Sequence, residues 1–420
     1  MSHGADSPPP SRHRATRFTC AGRRSGPSVP RVTRLTRASR ILATTASASA
    51  LALGLLAAPA PAAPSVPAAP AADEAAPGPT AYAGDGPYGV GQRSMRLPSG
   101  ALVEVWYPTR PADVAGQPEG TYDVVDWLPP VLEGFLPDGA AVTHPSGGVR
   151  RAPIARRGFP LVVFSHGFAG FRQQSSFLTS AIASWGYVVA APDHRSRTMT
   201  TVLGGTPGTT TDVQDLRDTI TLVGSKSRTR KNWLHKRVDM TRVAAVGHSA
   251  GGRAVENLAV ADPRVDTWVG MAGAATGALD EGATAVPTQP GMLLVGGADQ
   301  IVTRERMEAA YAAMSAPKRW VELGGAGHLA FSDLCEVGEG EAGLLSVADL
   351  LGVPIPANLI RLASDGCIDP ELASVDAWPA IRHVVVAQLR AVLGPDQATP
   401  AAFDGLVEAW PGVVTDSRSE

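Results

Sequence analysis

A serine hydroxyl attacks a carbonyl carbon only when a base takes its proton, and that base is most often a histidine held by a carboxylate. Ser249 has the surroundings for this chemistry. In "RVAAVGHSAGGRA" (242–254) the apolar run Val243 to Val246 stops at Gly247-His248-Ser249-Ala250-Gly251. This is the pattern of a strand that turns sharply into a helix with an exposed serine at the apex. Gly247 and Gly251 fit it, because strand and helix nearly touch on either side of such an apex. Turn-forming glycine and serine give the same string at many strand ends. The catalytic reading therefore depends on the partners the rest of the chain supplies.

Seven of the nine histidines lie beyond residue 62. His144 and His235 fall in polar loops, His383 on the polar side of the last helix, and His248 inside the turn, pointing away from its apex. His166, His194 and His328 each follow an expected strand. His328 stands in "LGGAGHLAF", just after "RWVEL", and Asp299 in "LLVGGADQIV", at the end of the strand before it. The order Ser249, Asp299, His328, each at the end of its own strand, is the order a strand–turn–helix nucleophile calls for. Asp193, beside His194 in "APDHRS", is the alternative acid, but it precedes the serine and a structural role is expected for it. A tetrahedral intermediate also needs two backbone N–H donors for its oxyanion. Ala250 and Phe168, in "FSHGFAGFR" (164–172), are placed to supply them, with His166 shaping the loop. No histidine, cysteine and acid cluster has metal-ligand spacing, so neither metal nor organic cofactor is expected. An imidazole base predicts activity rising through about pH 6 to 7.5.

The elements that must carry these residues alternate. Strands are expected at 101–108, 160–167, 187–194, 242–247, 267–274, 291–299 and 319–325. Helices are expected at 171–185, 212–225, 251–260, 303–314 and 378–393. The strands are near-continuous apolar runs, so both faces are buried. An α/β class follows, with a doubly wound, mostly parallel sheet and helices on both faces. The segment 330–377 is too long for a plain loop and is read as a small cap or a surface excursion. The stretch 122–144 reads as a lid, a lipid-contacting surface or ordinary packing over the sheet edge.

The first 62 residues differ from the rest, with nine arginines against one acid, Asp6. The whole chain has a net charge of -2, which leaves the remainder acidic. Nucleic acid is therefore not an expected partner. The arginines precede an apolar stretch (41–58) and a small-residue site at Ala60-Pro61-Ala62, so 1–62 reads as an export signal cleaved near residue 62, with an uncleaved anchor as the alternative. A Pro/Ala-rich linker (63–84), a catalytic domain (85–395) and a C-terminal tail (396–420) follow. Of three cysteines, Cys20 lies in the leader. Cys335 and Cys367 remain, and an even pair in an exported chain suggests a disulfide. Two buried free thiols is the alternative.

Several segments together resemble the α/β-hydrolases, in the branch of the platelet-activating-factor acetylhydrolases and dienelactone-hydrolase-like enzymes. They are "VEVWYPT" (103–109), "FSHGFAGFRQQSSFLTSAIASWGYVVAAPDHR" (164–195), "VGHSAGG" (246–252), "GGADQIV" (296–302) and "GAGHLAFSD" (325–333). The resemblance implies a secreted serine esterase acting on lipid-like or short-acyl carboxylic esters, with transient contact to a lipid surface. Acetylhydrolases commonly carry a bulky Phe where this chain has Ala250. Cutinase-like polyester hydrolases and lipases sharing the same triad are the alternative. A non-catalytic binding protein on the same scaffold is a reading of another class. A monomer is favoured, with oligomeric state open.

Overall fold

The computed structural model describes residues 76–275, 285–338, 342–394 and 400–420; the leader and most of the expected linker lie outside them. Within this span, consecutive residues of the apolar runs face opposite ways. Val162, Phe164, Ala244 and Val246 pack into one core, while Leu161, Val163, Val243 and Ala245 pack into a second. A strand that is apolar on both faces must be covered on both, and this dictates a layered fold.

The strands among the described residues are β1 (Gly89–Arg96), β2 (Leu102–Thr109), β3 (Thr121–Asp123), β4 (Thr143–Pro145), β5 (Val149–Arg150), β6 (Phe159–Ser165), β7 (Val188–Pro192), β8 (Val238–His248), β9 (Thr267–Met271), β10 (Gly291–Gly296), β11 (Lys318–Leu323) and β12 (Val414–Ser419). Ten form one sheet in the order β12-β11-β10-β9-β8-β6-β7-β2-β1-β5, and β3 and β4 pair separately. The centre, from β11 to β7, is parallel. The hairpin β1–β2 joins β7 antiparallel, and β12 joins β11 antiparallel. This is the doubly wound, mostly parallel α/β-hydrolase sheet.

The helices are α1 (Pro111–Val114), α2 (Ser176–Ser184), α3 (Met199–Val202), α4 (Asp212–Arg228), α5 (Ala250–Ala261), α6 (Arg304–Ala313), α7 (Leu344–Leu351), α8 (Ala357–Ser364), α9 (Ser374–Leu393) and α10 (Leu406–Ala409). Residues of α2 and α9 join the first core, and residues of α4, α5 and α6 the second. Helix α4 shows how local chemistry sets a boundary. The Thr211 hydroxyl accepts from Gln214 N, Asp212 and Asp215 sit in the first turn, and Lys226 and Arg228 in the last. Each charge complements the helix dipole at its own end.

A third core lies beyond the carboxyl ends of the strands. It joins Tyr122, Val124 and Trp127 to Phe171, Leu329, Leu334, Val347 and Leu351. Trp127 stacks on Phe171 with ring centroids 4.3 Å apart, worth about 0.5–1.5 kcal/mol beyond area burial. The segments 122–144 and 330–377 are thus one packed layer, built from both excursions together. Helices α7, α8 and the start of α9 occupy what the sequence leaves as an irregular stretch.

Both ends of the described span depart from expectation. Instead of a tail, 400–420 supplies α10 and the edge strand β12. The end of the expected linker is packed too: Tyr82 is buried and meets Trp185 edge-on. These two ends explain His383. It was expected on a polar helix face, yet it is fully buried. Its Nδ1 accepts from Tyr82 N at 3.1 Å and its Nε2 donates to the Ala402 carbonyl at 2.8 Å. The polar stripe of α9 faces a further layer of chain rather than water.

Candidate active site

The turn at the end of β8 forces Ser249 into φ 57°, ψ -121°. For a residue with a side chain this region costs roughly 1–3 kcal/mol. The turn closes only because its flanks lack Cβ atoms. A Cβ at Gly247 would lie 2.2 Å from the Gly251 carbonyl oxygen, and one at Gly251 would lie 2.0 Å from that of Ser165. Helix α5 begins at Ala250, so the Ala250 N–H is among the first-turn donors with no intrahelical acceptor.

The structure brings the three expected side chains into one chain of bonds. Ser249 Oγ lies 2.9 Å from His328 Nε2, and His328 Nδ1 lies 2.8 Å from Asp299 Oδ2. A carboxylate only accepts, so Nδ1 carries the proton and Nε2 accepts from the serine. Asp299 is held in turn: its Oδ1 accepts from Ile301 N and Val302 N, both at 2.8 Å. His328 and Asp299 are buried, while Ser249 is half-buried.

The loop after β6 lies against this turn. A Cβ at Gly167 would sit 3.4 Å from Ser249 Cβ. Gly167 N donates to Gln174 Oε1 at 2.8 Å. Arg197 Nη1 donates to the carbonyls of His166 and Gly167. In a trans peptide, C=O and N–H point opposite ways. Holding the Gly167 carbonyl on Arg197 therefore turns the Phe168 N–H away from that guanidinium. The Phe168 side chain is exposed.

Three histidines that carry no expected catalytic duty serve this geometry. His248 Nε2 donates to the His328 carbonyl at 2.9 Å, and its Nδ1 accepts from Gln174 Nε2 at 2.8 Å. It ties the Ser249 turn to the His328 loop, a role its neighbours in sequence do not reveal. His166 Nε2 accepts from His194 N at 2.9 Å. Burial pushes both imidazoles well below their ordinary titration range, helped by Arg197 at His166 and by His328 at His248. His194 belongs to a second serine–histidine–aspartate set. Ser165 Oγ lies 2.8 Å from His194 Nε2, and His194 Nδ1 lies 3.2 Å from Asp215 Oδ2. Asp193 is not in it: that carboxylate takes Arg172 N and Arg172 Nη1.

Arg197 also reaches Ser165 Oγ at 3.2 Å and pairs with Asp212 at 2.6 Å. Burial raises the Asp212 carboxyl, but His194 and Arg197 outweigh it and hold the group below its usual range. Nothing in "DHRSR" distinguishes Arg197 from a surface cation before the fold is known.

An apolar cleft of about 90 Å³ lies under the cap, reached from the candidate triad through Phe168 and Leu329 and lined by none of Ser249, His328 and Asp299. Phe168 and Leu329, the neighbour of His328, line it on one side, and Leu344, Leu351, Leu359 and Leu362 of the cap line it on the other. Cys335 and Cys367 form a disulfide at the base of this cap. Among the described residues, no group of three or more His, Cys, Asp or Glu side chains is placed to hold a metal ion.

Residues 151–214 match the family model described as platelet-activating factor acetylhydrolase, isoform II. The matched stretch carries β6, the Phe168 loop and β7 and ends before Ser249. With the sheet described above, the chain resembles that family of the α/β-hydrolase superfamily. Its general chemistry is accordingly that of a lipid-related ester hydrolase.

Proposed function

We propose that the protein is an exported serine esterase that cleaves short-acyl or lipid-like carboxylic esters through an acyl-enzyme on Ser249. The observation that carries this reading is the unbroken relay from Ser249 Oγ through His328 to Asp299, at 2.9 and 2.8 Å. Ser249 attacks the carbonyl carbon as His328 Nε2 takes its proton. The N–H groups of Phe168 and Ala250 hold the oxyanion. His328 returns the proton to the departing alcohol, and water then follows the same route to release the acid. Asp299 fixes the tautomer throughout.

The backbone strain at Ser249 supports catalysis over simple binding, since a binding module gains nothing from a serine held at that angle. The cleft favours a small aliphatic acyl group. Its volume is below the roughly 150 Å³ of an engineered cavity that accommodates benzene. A walled cleft of that size argues for single esters over a polymer chain. The Cys335–Cys367 bridge is in keeping with an oxidising compartment outside the cytoplasm.

The test is hydrolysis of p-nitrophenyl esters from acetyl to palmitoyl. Turnover should be highest for chains of about two to six carbons and fall towards palmitoyl. Ser249→Ala should lower it roughly 10⁴ to 10⁶-fold with unchanged circular dichroism. Near-normal hydrolysis by Ser249→Ala would end the proposal.

A further inference from the structure

The cap does more than wall the cleft. At Ser364–Gly366 it returns to the back of the candidate triad and sets one carboxylate between the two loops that carry its acid and its base. Asp365 Oδ1 accepts from His328 N at 2.8 Å, and Asp365 Oδ2 accepts from Gln300 N, next to Asp299, at 2.8 Å. The Asp365 carbonyl accepts from Leu329 N at 2.9 Å. The approach is close enough to need two glycines. Gly366 has φ +88°, and a Cβ at Gly327 would lie 2.5 Å from Gly366 N and 2.6 Å from Asp365 Oδ1. Arg361, on α8, adds a bond from Nη2 to the Gln300 carbonyl at 2.8 Å. Two residues beyond Asp365, Cys367 is bonded to Cys335, which stands seven residues after His328.

We infer that Asp365 is a positioning residue. Its carboxylate holds the Asp299 loop and the His328 loop in register, and the Cys335–Cys367 bridge keeps it in place. The inference rests on the reading of Ser249, His328 and Asp299 as a working triad. The two bonds are charge-assisted and reach residues 65 and 37 positions away in sequence. The bonds of the Asp365 carboxylate go to backbone amides of the two loops, so it acts through Asp299 and His328 rather than on the reacting atoms. Its influence falls on the angle and distance between Asp299 and His328. Misplacement of a catalytic group by about 1 Å can cost about 10²-fold in rate.

The experiment compares Asp365→Ala, Asp365→Asn and the double variant Cys335→Ser/Cys367→Ser with the wild type. Active sites are first titrated with a fluorophosphonate, and kcat and KM are then measured on a short p-nitrophenyl ester. For Asp365→Ala, kcat per titrated site should fall roughly 10 to 100-fold, with KM within about twofold. Asp365→Asn has one acceptor oxygen and should recover part of that loss. The bridge variant should lose kcat per site in the same direction. A merely structural role would lower the number of titratable sites and leave the rate per site intact. A rate per site within twofold of wild type in a folded Asp365→Ala or Asp365→Asn would overturn the inference alone. Failure of the wild type to react with the fluorophosphonate would overturn the triad reading and this inference with it.

Discussion

Two serine–histidine–aspartate sets stand side by side, one at the end of β8 and one at the end of β6. Their bond lengths hardly differ: 2.9 and 2.8 Å for Ser249–His328–Asp299, against 2.8 and 3.2 Å for Ser165–His194–Asp215. Both histidines and both carboxylates are buried, and the difference lies at the serine. Ser165, His194 and Asp215 are all fully buried, and the Ser165 hydroxyl is also taken by Arg197. Ser249 sits half-buried at a strained turn, with the first N–H groups of α5 beside it. On the proposed reading, in which Ser249 alone reacts, hydrogen-bond geometry by itself does not make a nucleophile. A substrate must reach the oxygen, and donors must wait where negative charge will develop. The sealed set has another duty. Together with Arg197 and His166 it fixes the loop that carries Phe168, so the buried network supports the exposed one.

The largest effect that could break this comparison comes from the two acids. Asp299→Asn should lower turnover by about 10⁴-fold, because the wrong tautomer then faces Ser249. Asp215→Asn should lower the rate per folded molecule far less, since it touches the Phe168 loop only through His194, and lower stability by about 1–3 kcal/mol, the cost of disturbing a buried hydrogen-bonded group. Steady-state kinetics beside urea unfolding separates the two outcomes. A reversal, with Asp215→Asn inactive and Asp299→Asn active, would exchange the roles of the two sets.

A smaller effect sharpens it. Each region holds one histidine kept neutral by burial, His166 in the sealed network and His248 at the Ser249 turn. An unfolded imidazole titrates near ~6.5. Below that pH the unfolded chain binds protons that the folded one refuses. The stability these groups contribute is complete above about 6.5 and declines as pH falls, by up to ~1.4 kcal/mol per pH unit for each. Asp333 has the opposite sign. Burial pushes its carboxyl up to about 7. Its contribution is complete below the ordinary carboxyl range, near ~4, and is lost as pH rises towards 7. Two histidines outweigh one carboxyl, so these three groups together should lower stability between pH 6.5 and 5. Replacing His166 or His248 by Asn should flatten that slope by up to ~1.4 kcal/mol per pH unit in denaturant titrations. An unchanged slope would mean that the replaced imidazole is not held neutral.

What was legible in the sequence was mostly local. The apolar runs 160–164 and 243–246 announce strands buried on both faces, and the glycines around Ser249 announce the sharp turn. The partners Asp299 and His328 could be proposed because chain order and strand ends restrict the choice. Long-range pairings without such a rule were not legible. Tyr82 and His383 are 301 residues apart and meet only because the segments around Tyr82 and Ala402 both pack onto α9. Nothing in "ASDGC" (363–367) singles out Asp365, and its two amide partners become visible only once the cap has packed. Strand β12 was missed because "VTDSRS" (414–419) carries no apolar run; it is held at the edge of the sheet by backbone pairing with β11. Helix α2 starts at Ser176, five residues later than the expected 171, because the chain from Gly167 to Ser175 is occupied in turns around the Phe168 loop.

The central claim is that only the accessible serine of the two is a nucleophile. Fluorophosphonate labelling of the whole protein, followed by peptide mass spectrometry, tests it most directly. One adduct per molecule is expected, on the peptide containing Ser249, and none on the peptide containing Ser165. An adduct on Ser165, or an unlabelled Ser249 in protein that still hydrolyses esters, would contradict it.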